Sequence, residues 1–167
     1  MLKPQDLLVL LKLHLWQGQS WRYSDIATSL GMSASEVHAG LKRSNTAKLY
    51  NSEAQQVLLP HLQEFLIHGL KYVYPVVPGT MVRGIPTAHA ISSLKETIVS
   101  NAEPYVWAAD FGEVRGLAIE PLYPSVPQAV RTDPALHELL GLVDALRCGR
   151  VREQQLAATL LAERLGT

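Results

Sequence analysis

The 167-residue sequence predicts an α+β protein with helices at both ends and a β-rich middle. Fifteen leucines lie in residues 1–70, three in 71–123 and nine in 124–167. β-branched and aromatic residues run the other way, with twenty in 71–123 against twelve in the first 70. Leucine favours helices, whereas branched and aromatic side chains favour strands. We therefore expect an N-terminal helical domain over 1–70, a small β-rich domain over 71–123 and a C-terminal helical hairpin over 124–167.

The overall composition is that of an ordinary globular protein from a reducing compartment. Fifteen basic and fifteen acidic residues exclude a highly charged disordered tail and a uniformly basic nucleic-acid coat. The single cysteine, Cys148, excludes a disulfide framework and favours the cytoplasm. No apolar run approaches the roughly 20 residues that span a membrane, and the N-terminus lacks the layout of a signal peptide. These features predict a cytoplasmic protein without a membrane partner.

The charge is unevenly distributed along the chain. Residues 1–50 contain six Lys and Arg against three acids, whereas residues 101–167 contain six Arg against nine acids. The neutral total therefore conceals a basic N-terminal third. Such an imbalance indicates a polyanionic partner for this part of the chain.

Three helices are predicted in the N-terminal third. Leucines at helical spacing behind Pro4 predict the first over 5–15. Trp21 is predicted to lie in a short strand or extended link. The second helix then runs over 24–30 and ends at Gly31, which readily takes the left-handed conformation.

The third helix is predicted over about 33–47, with Ser33 as its cap and Glu36 completing a capping box. Its inward residues are Val37 and Leu41. The spacing of Ala27, Gly31 and Val37 is typical of a helix-turn-helix. Gly40 occupies a position that is usually aliphatic in such motifs, which predicts weaker local packing.

Two short strands, at 49–50 and 57–59, flank a polar turn, and Pro60 then opens a helix that reaches Leu70. The order of helix, short strand, helix, helix and hairpin is that of a winged helix. Residues 4–59 resemble the DNA-binding domain of bacterial winged helix-turn-helix transcriptional regulators of the MarR type. The resemblance implies a third helix in the major groove and a hairpin against the backbone or minor groove.

The resemblance also implies which residues contact double-stranded DNA. They are the outward positions of the third helix, namely Ser33, Ala34, Ser35, His38, Ala39, Lys42 and Arg43. The serines would bind phosphates at the helix N-terminus, while His38 and Lys42 would reach base edges or phosphates. Lys42 and Arg43 equally suit a solvated helix end. The hairpin is at most weakly basic and has the acidic Glu53 at its tip, which is unfavourable for DNA contact.

The middle segment predicts a small sheet or partial barrel. One hairpin joins 71–77 to 81–85 through Pro78-Gly79, a short helix covers 92–99, and two further strands cover 105–108 and 114–119. Arg83-Gly84 and Arg115-Gly116 each place an arginine on a strand. These arginines either line an anion site or lie on the solvent face.

The C-terminal segment predicts an extended proline linker over 121–127 and two helices. Asp133-Pro134 begins the first, and the second runs over about 151–165. The first has a wide apolar stripe, formed by Leu136, Leu139, Leu140, Val143 and Leu146. We expect this hairpin to make a homodimer, with packing on its own chain as the alternative. Arginines 147, 150 and 152 at its turn form either a solvated corner or a phosphate site.

Motifs for catalysis or cofactors are missing from the sequence, which contains no GxxxxGK[ST], GxGxxG after a strand, GxSxG or HExxH. His61, His68 and His89 lack the cysteines or clustered carboxylates that would complete a metal site, and Cys148 lacks a matching base. We therefore predict a non-enzymatic, cofactor-free transcriptional regulator that binds DNA as a homodimer. The alternative is an antitoxin or defence-system accessory that acts through protein–protein contact.

Overall fold

The structure, a computed structural model, describes residues 1–98 and 101–166. It is α+β, with 54% helix and 12% strand, as predicted. The chain divides into two compact units: Met1–Leu62 with Leu122–Leu136 (unit 1), and Gln63–Pro121 with His137–Thr167 (unit 2). This division differs from the three consecutive segments expected from composition, because the chain returns to unit 1 after completing its strands.

The described residues form nine α-helices, five strands and one 3-10 turn at Ala88–Ala90. The helices are α1 Pro4–Leu15, α2 Tyr23–Leu30, α3 Ala34–Thr46, α4 Leu59–His68, α5 Leu70–Val73, α6 Ser92–Lys95, α7 Val126–Val130, α8 Pro134–Cys148 and α9 Val151–Leu165. The strands are β1 Tyr50–Asn51, β2 Gln56–Val57, β3 Met81–Thr87, β4 Tyr105–Ala108 and β5 Val114–Ala118. None of the described helices has the length and apolarity needed to cross a membrane.

Unit 1 is built around α1, which is buried on almost every side. Four of its leucines are fully buried, Leu7, Leu8, Leu10 and Leu11. A helix that is apolar all round belongs in a protein interior. Helices α2 and α3 pack on α1 through side chains that are also fully buried, Ile26, Leu30 and Val37. Val37 therefore lies between the helices, as its spacing predicts.

The extended linker predicted over 121–127 is wrong at its end: residues 121–125 contain no helix or strand, but Val126 and Pro127 belong to α7, which is buried in unit 1. Val126, Ala129 and Val130 are buried on α7, which contacts α2. Pro127 lies in the first helical turn, where its missing N–H costs nothing. The Ser125 hydroxyl donates to the Leu30 carbonyl at 2.5 Å and so satisfies the C-terminal end of α2.

Unit 2 contains a closed three-stranded sheet. The second half of β3 pairs antiparallel with β4, and its first half pairs antiparallel with β5. Strands β4 and β5 pair with each other in parallel and close the sheet. The closure requires glycine, since a Cβ on Gly84 would lie 2.0 Å from the Trp107 carbonyl oxygen and one on Gly116 would lie 2.4 Å from the Pro104 oxygen.

The strands predicted at 105–108 and 114–119 are confirmed, to within one residue. The hairpin predicted between 71–77 and 81–85 is wrong: residues 70–73 form α5, and both edges of β3 pair with β4 and β5. The helix predicted over 92–99 is present as α6 at Ser92–Lys95, and position 99 lies outside the described residues.

A buried carboxylate joins this sheet to α8. Asp144 accepts hydrogen bonds from the Thr87 hydroxyl and the Trp107 indole, both at 2.7 Å, and from Arg147 at 2.9 Å. Arg147 also donates to the carbonyl oxygens of Tyr74 and Glu120. Burial raises the pKa of Asp144, and the three donors oppose that rise. Arg147 is therefore a buried structural residue, and its predicted place in a solvated or phosphate-binding corner is wrong.

The apolar stripe of α8 is buried within the single chain. Its five predicted members are at most 3% exposed: Leu136, Leu139, Leu140, Val143 and Leu146. The stripe packs in the chain's own core, which was the alternative expected from the sequence. It is thus not a free face for a second copy, and the expectation of a dimer loses the surface on which it was based.

Candidate nucleic-acid interface

The predicted DNA-contacting residues lie on α3 and at its N-terminus. Five of them are exposed, Ala39 is half-buried and Arg43 is largely covered; the exposed five are Ser33, Ala34, Ser35, His38 and Lys42. The exposure follows from the register of the helix, because Val37, Leu41 and Ser44 are buried on the opposite side. We call the outward side of α3, at positions 35, 38, 39 and 42, the α3 face.

The N-terminus of α3 is capped as the sequence predicts, but only half of the capping box forms. The Ser33 hydroxyl accepts from the Glu36 N–H at 3.1 Å. The Glu36 carboxylate accepts from Gln5 at 3.1 Å and from Arg43 at 2.8 Å, and these two hydrogen bonds lower its pKa. Glu36 therefore holds α1 and the far end of α3, whereas the predicted box would have closed back on Ser33.

Arg43 is committed to an internal ion pair. Its Nε and Nη2 donate to the two oxygens of Asp6, each at 2.8 Å, in the bidentate geometry that suits guanidinium and carboxylate. Asp6 is fully buried on α1. The same Nη2 also donates to Glu36, and the bond to Asp6 raises the pKa of Arg43. The donors of Arg43 thus already stabilise the packing of α1 on α3, and its contact with DNA stays a prediction.

This ion pair also explains Gly40. A Cβ at Gly40 would lie 2.8 Å from Oδ1 of Asp6. The space that an aliphatic side chain fills in related motifs is occupied here by a carboxylate. The expected weak packing at this position is thus replaced by the contact between Asp6 and Arg43.

The basic surface of the N-terminal third is smaller than the sequence indicates. Lys12 donates to Asp133 at 2.5 Å, and its side chain is 7% exposed. Two of the six cations, Lys12 and Arg43, therefore neutralise acids inside unit 1. The four others are exposed, and they are Lys3, Arg22, Lys42 and Lys48. Of these, Lys42 lies on the α3 face.

An aromatic group beside the α3 face was missed from the sequence. The Tyr23 and His38 rings meet edge to face, with centroids 5.0 Å apart, and Trp21 meets Tyr23 at 5.9 Å. Tyr23 is 41% exposed. The signal was present, since Trp21 and Tyr23 flank the basic Arg22 at the start of α2. Only the fold brings this pair against His38.

The β1–β2 hairpin is attached directly to the end of α3. The side-chain oxygen of Asn45 accepts from the Ser52 N–H at 3.0 Å, and Asn51 accepts from the N–H groups of Glu53 and Ala54. The hairpin residues 51–56 are exposed. The polar turn is thus held by asparagine side chains, and Glu53 lies on its exposed surface.

The histidines and the cysteine do not form a reactive or metal-binding site in the described residues. No group of three potential ligands is found there. His61 contacts the Lys48 carbonyl at 2.7 Å, and His89 contacts the Glu103 carbonyl at 3.0 Å. Burial raises the pKa of Cys148 to about 12, and its thiol donates to the Asp144 carbonyl. An elevated pKa disfavours the nucleophilic thiolate.

Comparisons with known proteins leave the assignment to the geometry of the chain. No protein-family model matches it, and neither a curated protein nor a solved structure gives a match.

Proposed function

We propose that the chain binds duplex DNA through the α3 face, as a transcriptional regulator with a winged helix-turn-helix in unit 1. The observation that carries the proposal is the exposed row of Ser35, His38 and Lys42 on a helix whose opposite side is fixed in the core. A recognition helix needs both properties, because base contacts demand outward polar side chains on a rigidly placed backbone.

The connection between α2 and α3 supports this proposal. Gly31 has φ 68° and ends α2 in the left-handed conformation, and Ser33 then caps α3. The short turn leaves the α3 N-terminus exposed at Ser33 and Ala34. Free N–H groups and the helix dipole at such an end attract phosphates. The hairpin that follows α3 supplies the wing.

Within this proposal, the aromatic group beside the α3 face contacts the sugar–phosphate backbone. Tyr23 has a hydroxyl donor and is partly exposed next to His38. Tyrosine and histidine side chains are suited to positioning a duplex, whereas Lys42 adds electrostatic attraction. A homodimer stays a prediction, since regulators of this type bind paired half-sites.

The proposal is tested by fluorescence anisotropy with labelled duplex DNA of mixed sequence, titrated at several salt concentrations. We expect binding that weakens as salt rises. Lys42→Ala should weaken binding to all sequences and reduce the salt slope by about 1, because one phosphate contact is lost. Lys95→Ala is the matched control: it removes an exposed lysine from α6 in unit 2 and should leave the isotherm unchanged. Equal binding by wild type and Lys42→Ala would refute this use of α3.

The alternative function, contact with a protein partner as an antitoxin or defence-system accessory, is favoured by one observation. Four exposed cations and an exposed Glu53 on the hairpin make a modest electrostatic surface for a polyanion. Purification of the tagged chain from its own cells distinguishes the two functions. Recovery of a stoichiometric protein without DNA, together with no DNA binding at low salt, would favour the protein-contact function.

A further inference from the structure

Two arginines lie side by side on the sheet of unit 2. In the antiparallel pairing of β3 and β5, Arg83 is directly opposite Arg115. Both side chains are exposed. Directly opposed residues point to the same face, with Cβ atoms about 4.5–5.5 Å apart. The two separate Arg-Gly pairs of the sequence thus become one pair of neighbouring guanidinium groups.

Neither of these guanidinium groups is neutralised within the described residues. By contrast, the largely covered Arg43 and Arg147 each have a carboxylate partner at 2.8–2.9 Å. No hydrogen bond or ion pair is found for the side chain of Arg83 or Arg115 in the described part of the chain. Like charges directly opposite each other destabilise a sheet. The repulsion between the two arginines is therefore not offset by an ion pair in the described part of the chain.

The pair borders an open cavity of about 700 Å³. Alanines 108 and 109 are its small residues, and Val82 is its apolar one. Asp110 lines the same cavity without an ion pair to either arginine. The cavity therefore presents two adjacent guanidinium groups and one separate carboxylate, that of Asp110, which can accept a hydrogen bond.

We propose that this cavity binds the phosphate group of a small phosphorylated molecule, with Arg83 and Arg115 as its two ligands. Two planar guanidinium groups present several N–H donors to an ion that has three oxygens and nearly two negative charges. Asp110 accepts from a hydroxyl or amino group elsewhere on the ligand. The site is separate from the α3 face in sequence and shares no residue with it.

The charges around the cavity favour a compact anion over a nucleic-acid backbone. Asp110 lines the cavity, and the exposed Glu113 directly precedes β5. A single phosphate group can bind between the arginines, whereas a continuous polyanion would also meet these two carboxylates. Repulsion of that kind disfavours the extended partner.

The test uses the full chain, with pyrophosphate and inorganic phosphate as probes. Pyrophosphate should raise the melting temperature of the wild type, and calorimetry should show an affinity that falls with salt. Arg83→Gln and Arg115→Gln should each weaken binding by about tenfold or more, since each removes a charge-assisted donor pair. Arg131→Gln removes an exposed arginine at the C-terminal end of α7 and is the matched control, with unchanged binding expected.

A second readout separates a binding role from a structural one. Without ligand, both glutamine variants should melt at or above the wild-type temperature, because the opposed charges are relieved. A lower melting temperature in both would indicate that the arginines stabilise the fold, and it would overturn the proposal. Equal stabilisation of wild type and Arg115→Gln by pyrophosphate would overturn it as well. If the glutamine variants lose affinity for duplex DNA while pyrophosphate fails to bind, the phosphate source is nucleic acid and the small-molecule proposal fails.

Discussion

Replacing Arg43 by alanine should destabilise the protein far more than replacing its neighbour Lys42. Arg43→Ala leaves the Asp6 carboxylate fully buried, with the Lys3 N–H at 2.9 Å as its remaining backbone donor. A carboxylate in that position has lost both the bidentate partner and its compensating charge. Lys42 is exposed, so its removal changes little inside the fold.

The expected loss can be bounded from the structure. Removing one partner of a buried ion pair typically costs about 3–5 kcal/mol. The Arg43 side chain is 18% exposed, so water can partly solvate the site, and we expect about 3 kcal/mol. Lys42→Ala should stay within about 0.5 kcal/mol, as is usual for exposed positions. Lysine, arginine and alanine are all good helix formers, so intrinsic helix propensity contributes little to the difference.

The assay is urea unfolding of the full chain followed by circular dichroism, with both single variants measured beside the wild type. A third variant, Asp6→Leu with Arg43→Met, should recover most of the loss, because apolar replacements of a buried pair are often neutral. If Arg43→Ala and Lys42→Ala lose the same small free energy of unfolding, the Asp6–Arg43 pair does not hold α1 on α3. In that case Arg43 would again be available to DNA.

Three further outcomes follow from other buried contacts. Gly40→Ala should lower the melting temperature, because the new Cβ would lie 2.8 Å from the Asp6 carboxylate. Alanine normally stabilises a helix by about 1 kcal/mol relative to glycine, so a higher melting temperature would contradict this. Asp144→Asn should destabilise unit 2 by about 3 kcal/mol or more, since Arg147 loses its buried counter-ion. Urea unfolding measures this loss, and Glu138→Gln, which removes an exposed ion pair, is the control. Cys148 should react with iodoacetamide at pH 8 roughly a thousandfold more slowly in the native chain than in urea, because the thiolate fraction at that pH falls by about this factor when the pKa rises from 9.0 to about 12. Equal rates would contradict its burial.

The sequence by itself determined five of the helices of this protein. Helices α1, α2, α3, α8 and α9 are predicted to within about two residues, and the Ser33 and Asp133 caps form as expected. The inward position of Val37 is predicted as well. These features depend on helical periodicity and on caps that lie within three or four residues of the groups they satisfy. Such signals are complete within a short stretch of chain.

Only the tertiary structure decided how the charged residues are used. Asp6 and Arg43 are 37 residues apart, as are Trp107 and Asp144, and Thr87 is 57 residues from Asp144. No periodicity connects partners at such distances, so a lysine or arginine bound in the core has the same local sequence signal as one in solvent. For the same reason, the sequence did not predict that α7 packs in unit 1 or that Arg83 pairs directly with Arg115 across the sheet. Pairing across the fold depends on which elements pack together, and that was settled by the burial of apolar surface from the whole chain.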